Sequence, residues 1–467
     1  MITKLATLRA PSLFLLVIAI AITPRIPLPI SLPGRAVEVR VDDFIIFILF
    51  TITIIPIIRG IIFNKQTYRI YFSPLFLWIA IVFGVTLIAT LIGMILESSG
   101  IDRATFFLIY DLSNIAFFLL IINWVKTIRV ARALTIAIIV GGFLNLLWVV
   151  IQLLILNRPY PLFIFSPSDA VWTNPNRISL YGASMIGEFS PFSIGLYFCF
   201  VTLLTIGLFI GDKKASIKSK MLYVLLALGF STCALLSGIK LAGIVLAIGS
   251  LTLLIIWGRG TKLLLWTGVI AVIAFGILQG VADESKFSIA RITKLSGYVG
   301  AMENRIPGWM ALIDYGSSRP ITGSGRGIAF IPITSQYGQF YVETECLQGI
   351  CPDGFDYQSS EVPNEPFGEA HNQYLRIFLE TGILGLLAFS GFIISAFVIS
   401  GRIFQSSNND FSKVLSSVFI ACLIGLLIAS ITQDAFNPAL TSRMFWLYCG
   451  LSIAARHLNK TTQQGAS

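Results

Sequence analysis

Long apolar runs separated by short polar intervals dominate this chain. Stretches near 11–24, 42–58, 74–97, 104–125, 133–156, 191–211, 221–238, 241–257, 263–281, 382–401, 414–433 and 441–455 approach or reach membrane-crossing length. A helix needs roughly 20 apolar residues to cross a bilayer, so the pattern predicts about twelve transmembrane helices. Pro24, Pro27, Pro29 and Pro56 interrupt or closely follow the first two runs, which are the most irregular. No small-residue cleavage site follows the first run, so it reads as a retained span and not as a removed signal. One interval stands apart: residues 282–371 have mixed polarity and lie between two membrane segments. Connections of such length are usually functional or disordered. Trp309, Phe330, Phe340, Tyr341, Phe355 and Phe367 are too many aromatics for disorder.

The expected fold is therefore an all-α polytopic membrane protein with one large, partly helical outer loop. Residues 1–281 carry the first nine spans and short loops, 282–371 form the loop, and 372–467 hold the final helices and a tail. Within the loop, Asn304-Arg305-Ile306-Pro307-Gly308-Trp309 leads into Met310-Ala311-Leu312-Ile313, which reads as a turn entering a short helix with proline in its first turn. Gly323-Ser324-Gly325-Arg326-Gly327 reads as a flexible hinge or a close-approach turn. A second polar interval, 157–190, holds Asn174-Pro175-Asn176-Arg177 and faces the same side.

Composition strengthens the membrane assignment. Of the 467 residues, 56% are hydrophobic and 12% charged, with a mean hydropathy of +0.84; a soluble domain carries about 25% charged residues. The net charge of +10 follows from topology, because Lys and Arg gather on the cytoplasmic side of a membrane. With the N-terminus inside, just over half of the 33 basic residues fall in inner segments. Fewer, including Arg25, Arg40, Arg177, Lys240 and Arg443, fall in short outer loops. This alternation puts both termini in the cytoplasm, makes the bilayer the first partner and leaves no indication of nucleic acid. Cys199, Cys233, Cys422 and Cys449 lie in apolar runs and read as small buried side chains. Cys346 and Cys351 lie in the long loop, where a disulfide is the first reading and a zinc site the second.

His371 is one of two histidines, and the other, His457, sits in the polar tail. Histidine exchanges protons near neutral pH without special tuning, and His371 stands where the polar loop meets an apolar run. On a continuous helix, Gly382 falls almost beneath His371, with Tyr374 and Phe378 between and Gly385 on nearly the same stripe. Such glycines let a neighbouring helix or a lipid-linked substrate approach. Arg376 and Glu380, four apart, point to the other side and pair. The plainer alternative for His371 is a helix-start residue bonded to a carbonyl. Its polar setting between a glycine-rich loop and a glycine-marked helix favours chemistry.

His371-Asn372, nine residues, Gly382, Ile383-Leu384 and Gly385 resemble the histidine motif of the bacterial O-antigen ligase and polymerase superfamily. Arg305 through Trp309, Gly323-Ser324-Gly325, and Arg177 through Gly187-Glu188-Phe189-Ser190-Pro191 resemble its other outer-loop stretches. The likeness covers roughly the second two-thirds of the chain; the first four spans match in hydropathy alone. One departure is Lys240 after Ser237-Gly238-Ile239, where the family usually has arginine. Lysine keeps the charge but loses the planar fork.

The resemblance implies a glycosyltransferase of the bacterial plasma (inner) membrane with its site on the periplasmic side. It would move a glycan from a polyprenyl (undecaprenyl) diphosphate donor to the hydroxyl of a lipid or glycan acceptor. A diphosphate is already an activated leaving group, so no cofactor is implied, neither nucleotide nor metal. The chain also lacks a Gly-x4-Gly-Lys-Ser/Thr phosphate loop. His371 would take the acceptor's proton. Arg305, Lys240 and Arg177 would stabilise the diphosphate, supported by Asn372, Tyr374, Trp309, Gly382 and Gly385. The alternative for each basic residue is a lipid-phosphate or topology contact. At the level of the whole protein the alternatives are a repeat-unit polymerase on the same carrier and, in another class, a solute or bicarbonate transporter. Asp111 is the clearest of the few charges within the spans that a transporter would need. Lys240→Arg is expected to keep donor affinity and Lys240→Ala to weaken it, measured by binding of a labelled polyprenyl-diphosphate glycan.

Overall fold

Helices of membrane-crossing character build the protein. A computed structural model describes residues 2–22, 25–32, 35–62, 73–96, 101–151, 191–237, 240–258, 305–327, 330–331, 367–369 and 371–464. In chain order the helices are α1 (Ile2–Ile22), α2 (Val41–Ile62), α3 (Pro74–Ile95), α4 (Ile101–Trp124), α5 (Ile128–Ile151) and α6 (Pro191–Gly211). There follow α7 (Ile217–Leu236), α8 (Lys240–Ile256), α9 (Ile306–Ser317), α10 (Gln373–Ser406), α11 (Asp410–Ala429) and α12 (Ala439–Gln464). Two short antiparallel pairs accompany them, β1 (Arg25–Leu32) with β2 (Arg35–Arg40), and β3 (Phe330–Ile331) with β4 (Phe367–Glu369). Among the described residues seven helices are long and apolar enough to cross a membrane: α3, α4, α5, α6, α7, α10 and α11. Arg9–Ile22 and Leu241–Ile256 are shorter apolar helices. The run expected near 263–281 lies outside the described residues, as do Cys346 and Cys351.

Local sequence fixes where several helices begin. Ser73 caps α3 by accepting from the Leu75 N–H, with Pro74 in the first turn. Asn409 caps α11 by accepting from Phe411 N–H, and Asp410 follows at the positive end of the helix dipole. Packing then sorts centre from rim. The apolar windows of α6 and α11 are 89% and 78% buried, against 28% for α3, so α6 and α11 form the centre. They meet through small residues: a methyl added at Gly207 or Gly211 would lie 2.3 or 2.2 Å from Val418 or Val414. Cys199, Cys233, Cys422 and Cys449 are buried free thiols in this core, as their surroundings predict.

Charge topology accounts for fewer basic residues than the sequence suggests. Arg40 and Arg443, expected in outer loops, are both buried. Asp42 and Asp43 open α2, and burial leaves their charges in need of partners. Arg40 Nε donates to Asp42 at 2.8 Å. Arg443, fully buried near the start of α12, pairs with Asp43 and lies 3.5 Å from Asp42. Its other N–H groups reach Asn114 at 2.6 Å and the Ser113 hydroxyl. These two arginines join α2, α4 and α12 and are not surface charges.

The feature that shapes the region around His371 is a break in α10. The apolar run begins at 382, but the helix begins nine residues earlier, at Gln373, and is interrupted at Gly382 with φ 64° and ψ −163°. Residues Pro320–Gly325 fill the break with their own backbone. Ile383 N–H donates to Pro320 O at 2.8 Å, Ser324 N–H to Leu379 O at 2.8 Å and Gly325 N–H to Glu380 O at 3.0 Å. The freed helical groups are thereby satisfied across segments. Gly323, with φ 70°, makes the close approach: a Cβ there would lie 2.5 Å from Thr381 N.

The expectation of one continuous helical face from His371 to Gly382 and Gly385 is therefore corrected. His371 precedes the helix with φ 44°, and Gly382 faces the backbone of Ile321, where a methyl would lie 2.2 Å from the carbonyl oxygen. Gly385 makes room for Thr381, whose hydroxyl would meet a Cβ at 1.7 Å. Gly382→Ala is expected to destabilise the protein by on the order of 3 kcal/mol, combining a left-handed backbone with a steric clash. Gly401→Ala, on the same helix and with nothing within 4 Å of the added methyl, should be neutral or stabilise by up to about 1 kcal/mol. Thermal unfolding of both variants in detergent checks the pair.

Candidate active site

The turn between α11 and α12 gathers the residues around His371. Five successive turn residues each hold a partner. Ser430 O accepts from the Gln373 N–H at 3.0 Å. Ile431 O accepts from Asn372 Nδ2 at 2.9 Å. Thr432 O accepts from the Arg305 guanidinium. The Gln433 amide oxygen lies 3.2 Å from His371 Nδ1. Asp434 accepts from Arg376 Nη1 at 3.1 Å. A return bond from Phe436 N–H to Gln373 Oε1, 3.2 Å, closes the arrangement. His371 and Arg305, 66 positions apart in sequence, thus meet neighbouring residues of one turn.

Local chemistry holds the imidazole in place from its own side as well. Asn372 is the N-cap of α10, and its side-chain oxygen accepts from the Tyr374 and Leu375 N–H groups at 3.0 Å each. Tyr374 donates its hydroxyl to Leu427 O at 2.8 Å and so pegs the new helix to α11. His371 itself is half-buried, at left-handed φ. Histidine visits that region more readily than most residues. Such conformations cost about 1–3 kcal/mol, persist where the surroundings over-determine them, and concentrate at functional sites.

Beneath this layer runs a chain of buried charges. Glu380, with a side chain 3% exposed, is held between Arg326 and Arg376. Arg376 Nε lies 3.2 Å from Glu380 Oε1, the pairing their spacing predicts, and the same guanidinium reaches Asp434. Arg326 grips Asp111 of α4 with two bonds of 3.0 Å. Its own N–H donates to Thr90 of α3 at 3.2 Å. The Gly327 N–H adds a 3.0 Å bond to Glu380. Both guanidinium groups lie over the Phe107 ring, 5.2 and 5.5 Å from its centroid. Burial works against the charge of Arg326, but Asp111 and Glu380 outweigh it and hold the group above its usual range.

The structure brings together some of the residues singled out from sequence. His371, Arg305, Asn372 and Tyr374 converge on α11 and the turn that follows it. Trp309 is half-buried one turn into α9, its backbone N–H bonded to Arg305 O at 2.9 Å. Gly382 and Gly385 serve the helix break. Lys240 is the first residue of α8, with its side chain outside the described set. Arg177 lies outside the described residues altogether. Among the described residues no group of three or more His, Cys, Asp or Glu could hold a metal ion.

Sequence reading missed Gln433, Asp434 and Arg326. A signal existed for Arg326, since an acid within a span, Asp111, requires a basic partner. Gln433 had none, because its role depends on a turn that returns to His371.

Residues 222–390 match the family described as O-antigen ligase. That stretch includes Lys240, Arg305, Trp309, His371 and the break at Gly382. No curated protein gives a significant match to the chain.

Arg326→Met leaves Asp111 and Glu380 without their shared cation. It is expected to destabilise the protein by about 3–5 kcal/mol. Adding Glu380→Gln to Arg326→Met should cost less than the sum of the single changes, since the two groups share one network. A double-mutant cycle of thermal unfolding in detergent measures both effects.

Proposed function

We propose that this chain, which belongs to the O-antigen ligase and polymerase superfamily through residues 222–390, moves a glycan from a polyprenyl diphosphate to an acceptor hydroxyl. The observation that carries the reading is the meeting of His371 with Gln433 and of Arg305 with Thr432, neighbouring residues of one turn. In this reading the acceptor oxygen attacks the anomeric carbon as the bond to the diphosphate breaks. His371 takes the acceptor's proton, a contribution typically worth roughly 10²–10⁴-fold. Arg305 balances the charge that develops on the departing diphosphate. Its bond to the Thr432 carbonyl ties the guanidinium to the turn residue that precedes Gln433. Lys240 and Arg177 are proposed as further diphosphate contacts, on the strength of the family likeness.

The reading assigns the site to the outer, periplasmic face of a bacterial inner membrane, with both termini in the cytoplasm. Residues 1–281 and 372–467 are then the membrane body, and 282–371 the loop that carries the donor-binding cation. The donor's prenyl chain would remain in the bilayer while its headgroup reaches His371. We favour a ligase acting on a lipid or glycan acceptor, in keeping with the family description.

His371→Ala is expected to leave the protein folded and membrane-inserted while lowering transfer by at least about 100-fold. Purified protein, a radiolabelled polyprenyl-diphosphate glycan and a panel of acceptors provide the assay. Near-normal transfer by a verified His371→Ala preparation discards the base role. Growth of the glycan on its own carrier, with no transfer to other acceptors, replaces the ligase with the polymerase.

A further inference from the structure

We infer that Gln433 is a positioning residue that fixes which nitrogen of His371 receives the acceptor's proton. The inference rests on the glycan-transfer reading and deepens it. The Gln433 amide oxygen faces His371 Nδ1 at 3.2 Å. A carbonyl oxygen accepts but cannot donate, so this contact requires the neutral ring to carry its hydrogen on Nδ1. The lone pair then lies on Nε2, the nitrogen Gln433 does not engage. A ring with the opposite tautomer would present an N–H to the acceptor and could not take its proton. Choosing the tautomer through the hydrogen bond at the other nitrogen is a general device for histidine.

Two features make Gln433 suited to the task. Its backbone lies in a turn immobilised on both sides: Ile431 and Thr432 receive Asn372 and Arg305, and Asp434 receives Arg376. The amide is therefore presented from a fixed frame. The residue is also neutral. Among the described residues, the charged groups held at the same turn or one helical turn below it include Arg305, Arg376, Glu380 and Asp434, and both carboxylates bind Arg376. Once Nε2 has taken a proton, the Nδ1–H bond to the amide becomes charge-assisted and strengthens. Gln433 thus supports the protonated ring without adding a negative charge beside the departing diphosphate.

The chain has two histidines, so a His457→Asn background leaves one imidazole to observe. With ¹⁵N-histidine labelling of the full chain in lipid nanodiscs, the two ring nitrogens report the tautomer directly. The expected spectrum of the neutral ring has a protonated Nδ1 and a bare Nε2. Gln433→Leu should shift the population toward the opposite tautomer and lower kcat by about tenfold or more, with KM for the donor little changed. Gln433→Glu keeps an acceptor and should retain the Nδ1–H tautomer, with activity above that of Gln433→Leu and below that of the natural protein, because its charge opposes the departing diphosphate. Its carboxylate favours the charged ring, so the acid limb of its pH–rate profile should move to higher pH.

A neutral wild-type ring protonated on Nε2 overturns the inference. So does a folded Gln433→Leu protein with an unchanged tautomer, or a Gln433→Glu protein whose pH profile stays in place. These outcomes are separable from failure of the glycan-transfer reading. Full activity of His371→Ala removes the base itself, whereas an inactive His371→Ala with an unperturbed tautomer in Gln433→Leu removes only the positioning role.

Discussion

A carboxylate buried between two guanidinium groups organises everything around His371. Glu380 cannot stay charged in so enclosed a place without compensation, and Arg326 and Arg376 supply it. Each arginine then needs a second acid, which Asp111 and Asp434 provide. These four demands fix the relative positions of α4, α10, the segment after α9 and the turn after α11. The imidazole inherits its location from that arrangement. A distant electrostatic requirement becomes, through the rigid turn at 430–434, a local geometric one.

Backbone groups carry much of the recognition. Carbonyls of Ser430, Ile431 and Thr432 hold Gln373, Asn372 and Arg305. Backbone of Pro320–Gly325 repairs the ladder where Gly382 breaks it. Side-chain identity is decisive at only some of these contacts, so the turn could vary in sequence while its geometry stayed constant. That explains why its importance is invisible in a string of residues.

What was legible followed from local physics. Apolar runs announced the helices to within a few residues for α3, α4, α6 and α7. Proline and turn residues announced α9, and the four-residue spacing announced the Arg376–Glu380 pair. The two glycines after His371 were seen, but their reason was not. A helical projection assumes an unbroken helix, and the break at Gly382 is imposed by a segment some sixty positions upstream. Arg40 and Arg443 were read by the rule for loops because nothing local reveals that Asp42 and Asp43 are waiting for them. Pairings across hundreds of positions belong to tertiary structure.

The joining of Arg443 to Asp43, 400 positions apart, bears on how the molecule is made. Synthesis delivers Asp43 at the head of α2 near the beginning and its arginine on α12 near the end. During that interval the nascent chain carries an acid whose guanidinium partner has yet to emerge from the ribosome. Docking of α12 thus closes the bundle electrostatically as well as sterically. A chain stopped short of α12 would lack the guanidinium that Asp43 pairs with.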